Sequence, residues 1–151
     1  MKRKRLVVLA VLVLAAFAAG AQSNQVLDAI LEQESTTFEQ AAYLVLTAAG
    51  RIPDDTSLAQ AAEALQQQGW KVRPRSAEEP LSLGEYCFVL MQAFELKGGL
   101  MYHIFPGRRY AGRELAYLGL IKGNTSPYRT FSGEEAVGIL GRLMEWREER
   151  S

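Results

Sequence analysis

Apolar and polar positions recur with helical spacing along most of this chain. Val26, Leu27, Ile30 and Leu31 share one side of a helix predicted over Val26–Gln33. A second apolar stripe runs from Thr37 to Ala49 and stops at Gly50. Pro53, Asp54 and Asp55 make Arg51–Thr56 a turn. An alanine-rich helix follows over Leu58–Gln68, halted by Gly69, and Trp70–Pro80 is a polar loop. Leu83–Leu96 is the most apolar helix and ends at Lys97-Gly98-Gly99. Met101–Arg109 is irregular, Tyr110–Leu118 is helical and closes at Gly119, and Gly123–Tyr128 is a loop. Ser132–Glu148 is the last helix. Gly138 and Gly141 weaken it by about 1 kcal/mol each against alanine, unless they permit close helix approach. No strand pattern competes, since Trp70-Lys71-Val72 is too short to build a sheet. The predicted fold is all-α, a small single-domain bundle of five or six short helices.

The helices repeat. At an offset of fifty residues, Ala61 matches Ala111, Leu65 matches Leu115 and Gly69 matches Gly119. Ser82, Glu85, Leu90 and Glu95 match Ser132, Glu135, Leu140 and Glu145. Ser-x-x-Glu is a capping box: the serine oxygen accepts from a free backbone N–H, and the carboxylate reaches back to the serine N–H. Thr37-x-x-Gln40 is a third such start, and the apolar positions behind it keep register. Ala42, Cys87 and Val137 stand five residues after the cap, and Val45, Leu90 and Leu140 eight after it. Each helix thereby carries an equivalent packing stripe. A period of this length marks a modular array. The modules are bounded here as a degenerate one over 25–50, then 58–96 and 108–146.

The segment Leu115 to Gly123, with Phe131-Ser132-Gly133-Glu134-Glu135-Ala136, resembles an S-layer homology module. Leu81 to Tyr86 resembles the same helix start. The resemblance covers Leu58 to Met144 as two modules, with Thr37–Ala49 as the second helix of a third. It implies a pseudo-threefold helical bundle that holds envelope polysaccharide between modules, largely through an arginine after the capping threonine. Phe38, Leu83 and Gly133 stand at that arginine position here.

Charge and leader narrow the setting. Met1-Lys2-Arg3-Lys4-Arg5, then the apolar run Leu6–Ala19, have the form of an export signal. Ala19-Gly20-Ala21 places the expected cut before Gln22. The run is short for a bilayer span, so no stable membrane span is expected after cleavage, and retention as an anchor is the alternative. Removing Lys2, Arg3, Lys4 and Arg5 from the 17 basic residues leaves 13 against 17 acidic ones, a net charge of −4. That balance disfavours nucleic acid as a partner, because binding there depends on neutralising phosphates. The single cysteine, Cys87, cannot form an internal disulfide, so packing must supply stability.

Candidate chemistry is sparse. His103, the only histidine, lies in an apolar stretch and suits a packed or surface role better than a metal site. Glu135 reads as a capping residue, Glu134 as a first-turn acid and Glu78-Glu79 as loop charge, not as a hydrolase pair facing across a cleft. No catalytic set and no cofactor are expected. The loops hold the best candidate ligand surface: Trp70, Arg73 and Arg75 in one copy, and Arg108, Arg109, Tyr128 and Arg129 in the other. Exposed aromatics stack on sugar faces, and arginines grip carboxylates or phosphates in two-pronged fashion. The expected function is an exported, non-catalytic envelope module in the periplasm or at the cell surface. Its partner would be envelope polysaccharide or another envelope protein. The alternative is a periplasmic helical adaptor that binds proteins and no glycan.

Overall fold

A computed structural model describes residues 24–151, and the export signal expected over Met1–Ala21 lies outside them. Among the described residues the regular structure is helical, with one isolated bridge between Thr37 and Pro80. The helices are α1 (24–31), α2 (Phe38–Ala48), α3 (Leu58–Gln67), α4 (Leu83–Ala93), α5 (Leu100–Ile104), α6 (Arg108–Tyr117) and α7 (Gly133–Glu148). The fold is all-α and compact, as the apolar spacing predicts.

Two departures have local causes. Met101–Arg109, expected to be irregular, holds four of the five residues of α5 and the first two residues of α6. Tyr102 drives this turn: its ring is buried near Phe88, and its hydroxyl accepts from Gln92 Nε2 of α4 at 2.9 Å. Neither Gly138 nor Gly141 permits a close helix approach. A Cβ at Gly138 would meet only the flexible end of Arg142, and one at Gly141 would meet nothing.

Full capping boxes form at Thr37–Gln40 and Ser82–Glu85, and a further one at Ser57–Gln60. The starts of α2, α4 and α7 also join in a cycle. Phe38 and Glu39 N–H donate to the Glu79 and Ala77 carbonyls of the loop before α4. Leu83 and Gly84 N–H donate in the same way to Arg129 and Pro127, before α7. Gly133 N–H donates to Gln33, before α2, at 2.9 Å. Each helix N-terminus thus satisfies its free donors on the segment that leads into the next.

The middle of this ring is dry. Phe38, Ala41, Leu83, Tyr86 and Ala136 are wholly buried there. Ala41, Tyr86 and Ala136 occupy the same position four residues after their caps, and Tyr86 donates its hydroxyl to the Ala136 carbonyl at 2.9 Å. Its ring packs on Phe131 at 4.9 Å. One tyrosine opposed to two alanines fills the centre without overpacking. Around the ring, α3 packs on α2 and α6 packs on α4 as the most extensive helix pairs. Each pair joins the second helix of one sequence module to the first helix of the next.

Candidate functional site

The contact of α4 with α6 is unusually close at its start. A Cβ on Gly84 would lie 2.7 Å from the Arg108 carbonyl oxygen and from the Pro127 side chain. Only glycine fits there, and this brings the first turn of α6 against the first turn of α4, beside the loop that leads into α4. Between them lies a cleft of about 300 Å³. Lys71, Arg73 and Arg108 line it with positive charge, Val72 and Phe88 with apolar surface, and Glu85 with the one carboxylate. Gly107 also lines it, and α6 starts there with no side-chain cap. The positive end of the α6 backbone therefore adds to three cations.

Glu85 does not neutralise the cleft. Its carboxylate is engaged by the Ser82 hydroxyl at 2.7 Å, the Ser82 N–H at 3.2 Å and the Arg75 guanidinium. Burial pushes its carboxyl up, but the hydrogen bonds from Ser82 and Arg75 outweigh that and hold it below the usual carboxylate value.

The structure sorts the residues singled out in the sequence. Arg73 is exposed, pairs with Glu79 and reaches the cleft. Arg108 spreads its guanidinium over the exposed ring of Tyr128, 5.0 Å from its centroid. These three form one surface. Arg109 is exposed but lies over Tyr110, outside the cleft wall. Trp70 is half-buried, with Arg51 over its ring at 5.3 Å.

Two of the seven belong to the architecture. The Arg75 side chain is only 2% exposed; it binds Glu85 and the Pro80 carbonyl and covers the Phe38 ring. Arg129 makes a two-pronged bond to Glu135 and donates to the Asn124 carbonyl at 2.8 Å and the Thr130 carbonyl at 3.1 Å. The Arg75 guanidinium is thereby sealed from solvent, whereas Arg129 stays partly exposed on a cleft of its own. Glu135 is accordingly not spent on a capping box. Ser132 caps α7, but the Glu135 carboxylate turns to Arg129.

Gln40, Glu85 and Glu135, the third residues of α2, α4 and α7, each stand in a cleft of their own. Asp54 and Asp55 rim the first, the three cations the second, and Lys122, Arg142, Glu134 and Arg129 the third. The sequence places Lys71 in the basic loop group with Trp70, Arg73 and Arg75, but gives no sign of Gly107 as a site residue. Gly107 matters only through the meeting of α4 and α6.

The positions that the resemblance to S-layer homology modules would give to an arginine are closed by packing. Phe38 and Leu83 are wholly buried, and a Cβ on Gly133 would lie 1.6 Å from the Ile30 carbonyl oxygen. An arginine there could not reach a ligand. His103 is exposed, and Cys87 is buried, its thiol pushed up to about 12 by burial. Among the described residues no group of three or more His, Cys, Asp or Glu could hold a metal, and no helix is long and apolar enough to cross a membrane. No family model, curated protein or solved structure matches the chain significantly.

Proposed function

We propose that this is an exported, non-catalytic module of the cell envelope that holds an anionic polysaccharide in the cleft between α4 and α6. The observation that carries this reading is the convergence of Lys71, Arg73 and Arg108 on the uncapped start of α6, beside the exposed ring of Tyr128. Fixed donors and backbone dipoles favour a carboxylate or phosphate, and the Arg108–Tyr128 stack offers a flat face to a sugar ring. The cycle linking α2, α4 and α7 agrees with three S-layer-homology-like modules around a common axis. In this reading the ligand cleft has moved away from the family's arginine position, which packing fills, to the loop before α4.

The test is co-sedimentation with envelope polysaccharide stripped of protein. Arg73→Ala combined with Arg108→Ala should lower affinity about tenfold or more, because a charge-assisted hydrogen bond contributes about 1.5–3 kcal/mol. The melting temperature should stay close to that of the parent, since both side chains are exposed. Undiminished sedimentation of the double variant would remove the cleft from consideration. Failure of the parent itself to sediment would favour the adaptor reading.

A further inference from the structure

The apolar side chains left in water are concentrated on one feature. Leu100, Met101, Ile104 and Phe105 belong to α5 and its C-terminal cap and are 70, 50, 51 and 61% exposed. Tyr117 of α6, at 88%, lines a shallow cleft of about 400 Å³ together with Leu100 and Met101. Phe105 continues the surface by stacking on Tyr110 at 6.4 Å. The segment also departs from the rest of the chain in charge. From Lys97 to Arg113 there are four cations, Lys97, Arg108, Arg109 and Arg113, and no carboxylate. The chain beyond Ala21 carries 13 basic and 17 acidic residues. Glu114 follows immediately, but it is half-buried and its carboxylate lies against Gly99 at the start of α5.

From this juxtaposition we propose that the α5 surface docks the protein onto an anionic lipid membrane, with Leu100, Met101, Ile104 and Phe105 entering the headgroup–acyl boundary and Lys97, Arg109 and Arg113 facing the headgroups. Four large apolar side chains on one short turn, bordered by cations, have the chemistry of an interfacial anchor. Tyrosine at the edge suits the headgroup level. Charge complementarity selects the occupant: Lys97, Arg109 and Arg113 outnumber Glu114, the one carboxylate lining the cleft beside Leu100 and Met101, and so match a negative surface, where each basic residue adds attraction. A five-residue turn lies on a bilayer and does not cross it. This surface is separate from the polysaccharide cleft, apart from Arg108 at their common edge, so either can hold without the other.

Spin labelling of the full chain tests it. Cys87 is wholly buried with its thiol pushed up to about 12, so a thiol-reactive nitroxide marks only an introduced cysteine. Phe105→Cys places the label on α5. Asp55→Cys is the control, at the position fifty residues earlier in the repeat. The probes are phosphatidylcholine vesicles with and without phosphatidylglycerol. On the anionic vesicles the label at 105 should become shielded from a water-soluble nickel chelate and accessible to oxygen, while the label at 55 stays in water. The readout is local, so binding by another part of the chain does not mimic it. Arg109→Gln and Arg113→Gln should each raise the lipid concentration for half-insertion about fivefold (about 1 kcal/mol per charge). A label at 105 that stays in water on anionic vesicles overturns the proposal, as does equal insertion without phosphatidylglycerol. Concentration-dependent immobilisation of that label without vesicles also overturns it, and assigns the surface to a second copy of the chain.

Discussion

Between α2 and α3 the connection over 49–57 is polar and sealed on itself. Tyr43 donates its hydroxyl to the Asp54 carbonyl, Thr56 turns its hydroxyl onto the Pro53 carbonyl, and Ser57 caps α3 with a full box. Between α4 and α6 the connection over 94–107 takes the same place in the repeat with the opposite chemistry. It leaves Leu100, Met101, Ile104 and Phe105 in water and starts α6 at Gly107 with no side-chain cap. The helix pairs are alike, yet one junction satisfies its own donors and the other leaves donors and apolar surface available. Two similar helix pairs can therefore differ in what their junction leaves open through the connecting residues alone.

The largest expected effect separates the junctions by charge. The third residue of α2 is neutral Gln40, whereas that of α4 is Glu85, locked to the almost fully buried Arg75. Arg75→Ala should cost about 3 kcal/mol, the size expected when one partner of a buried pair is removed. Urea denaturation measures it. Arg75→Met with Glu85→Gln should recover most of the loss, because no unpaired charge remains. If Arg75→Ala melts like the parent, the lock contributes nothing, and the two junctions are held by packing alike.

Packing gives the next effect. Gly84→Ala would thrust a methyl against the Arg108 carbonyl and Pro127, at a cost of about 1–3 kcal/mol. Glu39 holds the equivalent position in α2 and is half-exposed, so Glu39→Ala should change stability by less than about 0.5 kcal/mol. Thermal melts of the two variants compare the junctions directly. Equal shifts would mean that α4 and α6 are no tighter than α2 and α3.

How much of this was legible in the sequence follows from the range of each interaction. Thr37, Ser82 and Ser132 mark their helix starts because an N-cap bond closes within four residues, as a full capping box at Thr37 and Ser82 and as the serine cap alone at Ser132. Ser57-x-x-Gln60 carries the same signature ahead of the helix that the apolar spacing predicts. The irregular reading of 101–109 failed because α5 depends on Tyr102 reaching Gln92 across the chain. Arg73 and Arg75 stand two residues apart and look alike in sequence, yet one is exposed and the other sealed beneath Phe38 and Glu85. Arg129 likewise looks free in the sequence, since its bond to Glu135 exists only when the loop folds over α7. Local chemistry is legible in the sequence, and the division of arginines between buried lock and exposed surface is not.

A smaller effect follows from acid. The Glu85 carboxyl is held below its ordinary value near 4.5, so the folded chain releases this proton more readily than the unfolded one. Its contribution is complete above the unfolded value and is lost as pH falls through the folded one. Urea midpoints should therefore drop below about pH 4.5 by more in the parent than in Glu85→Gln. Gln40 has no proton to gain, so α2 adds nothing to this difference. Equal acid losses in the two proteins would place the sensitivity elsewhere.

The smallest effect asks whether the uncapped start of α6 is idle or receptive. Gly107 has fully extended backbone that any residue adopts, and a Cβ there would meet nothing within 4 Å. Gly107→Ser can thus restore the cap that Ser57 gives α3, with a gain of only a few tenths of a kcal/mol, because glycine is itself a tolerable N-cap. Its hydroxyl would accept from the N–H groups that an anion in the cleft would use. Melting temperature should rise slightly while sedimentation with anionic polysaccharide weakens. A purely structural N-terminus would show the first change without the second. The reverse substitution, Ser57→Gly, should lower stability slightly and leave sedimentation unchanged, because Asp54 and Asp55 rim the cleft beside α3 and repel an anion. If the two substitutions move binding equally, the contrast between the junctions lies in sequence alone and not in what they bind.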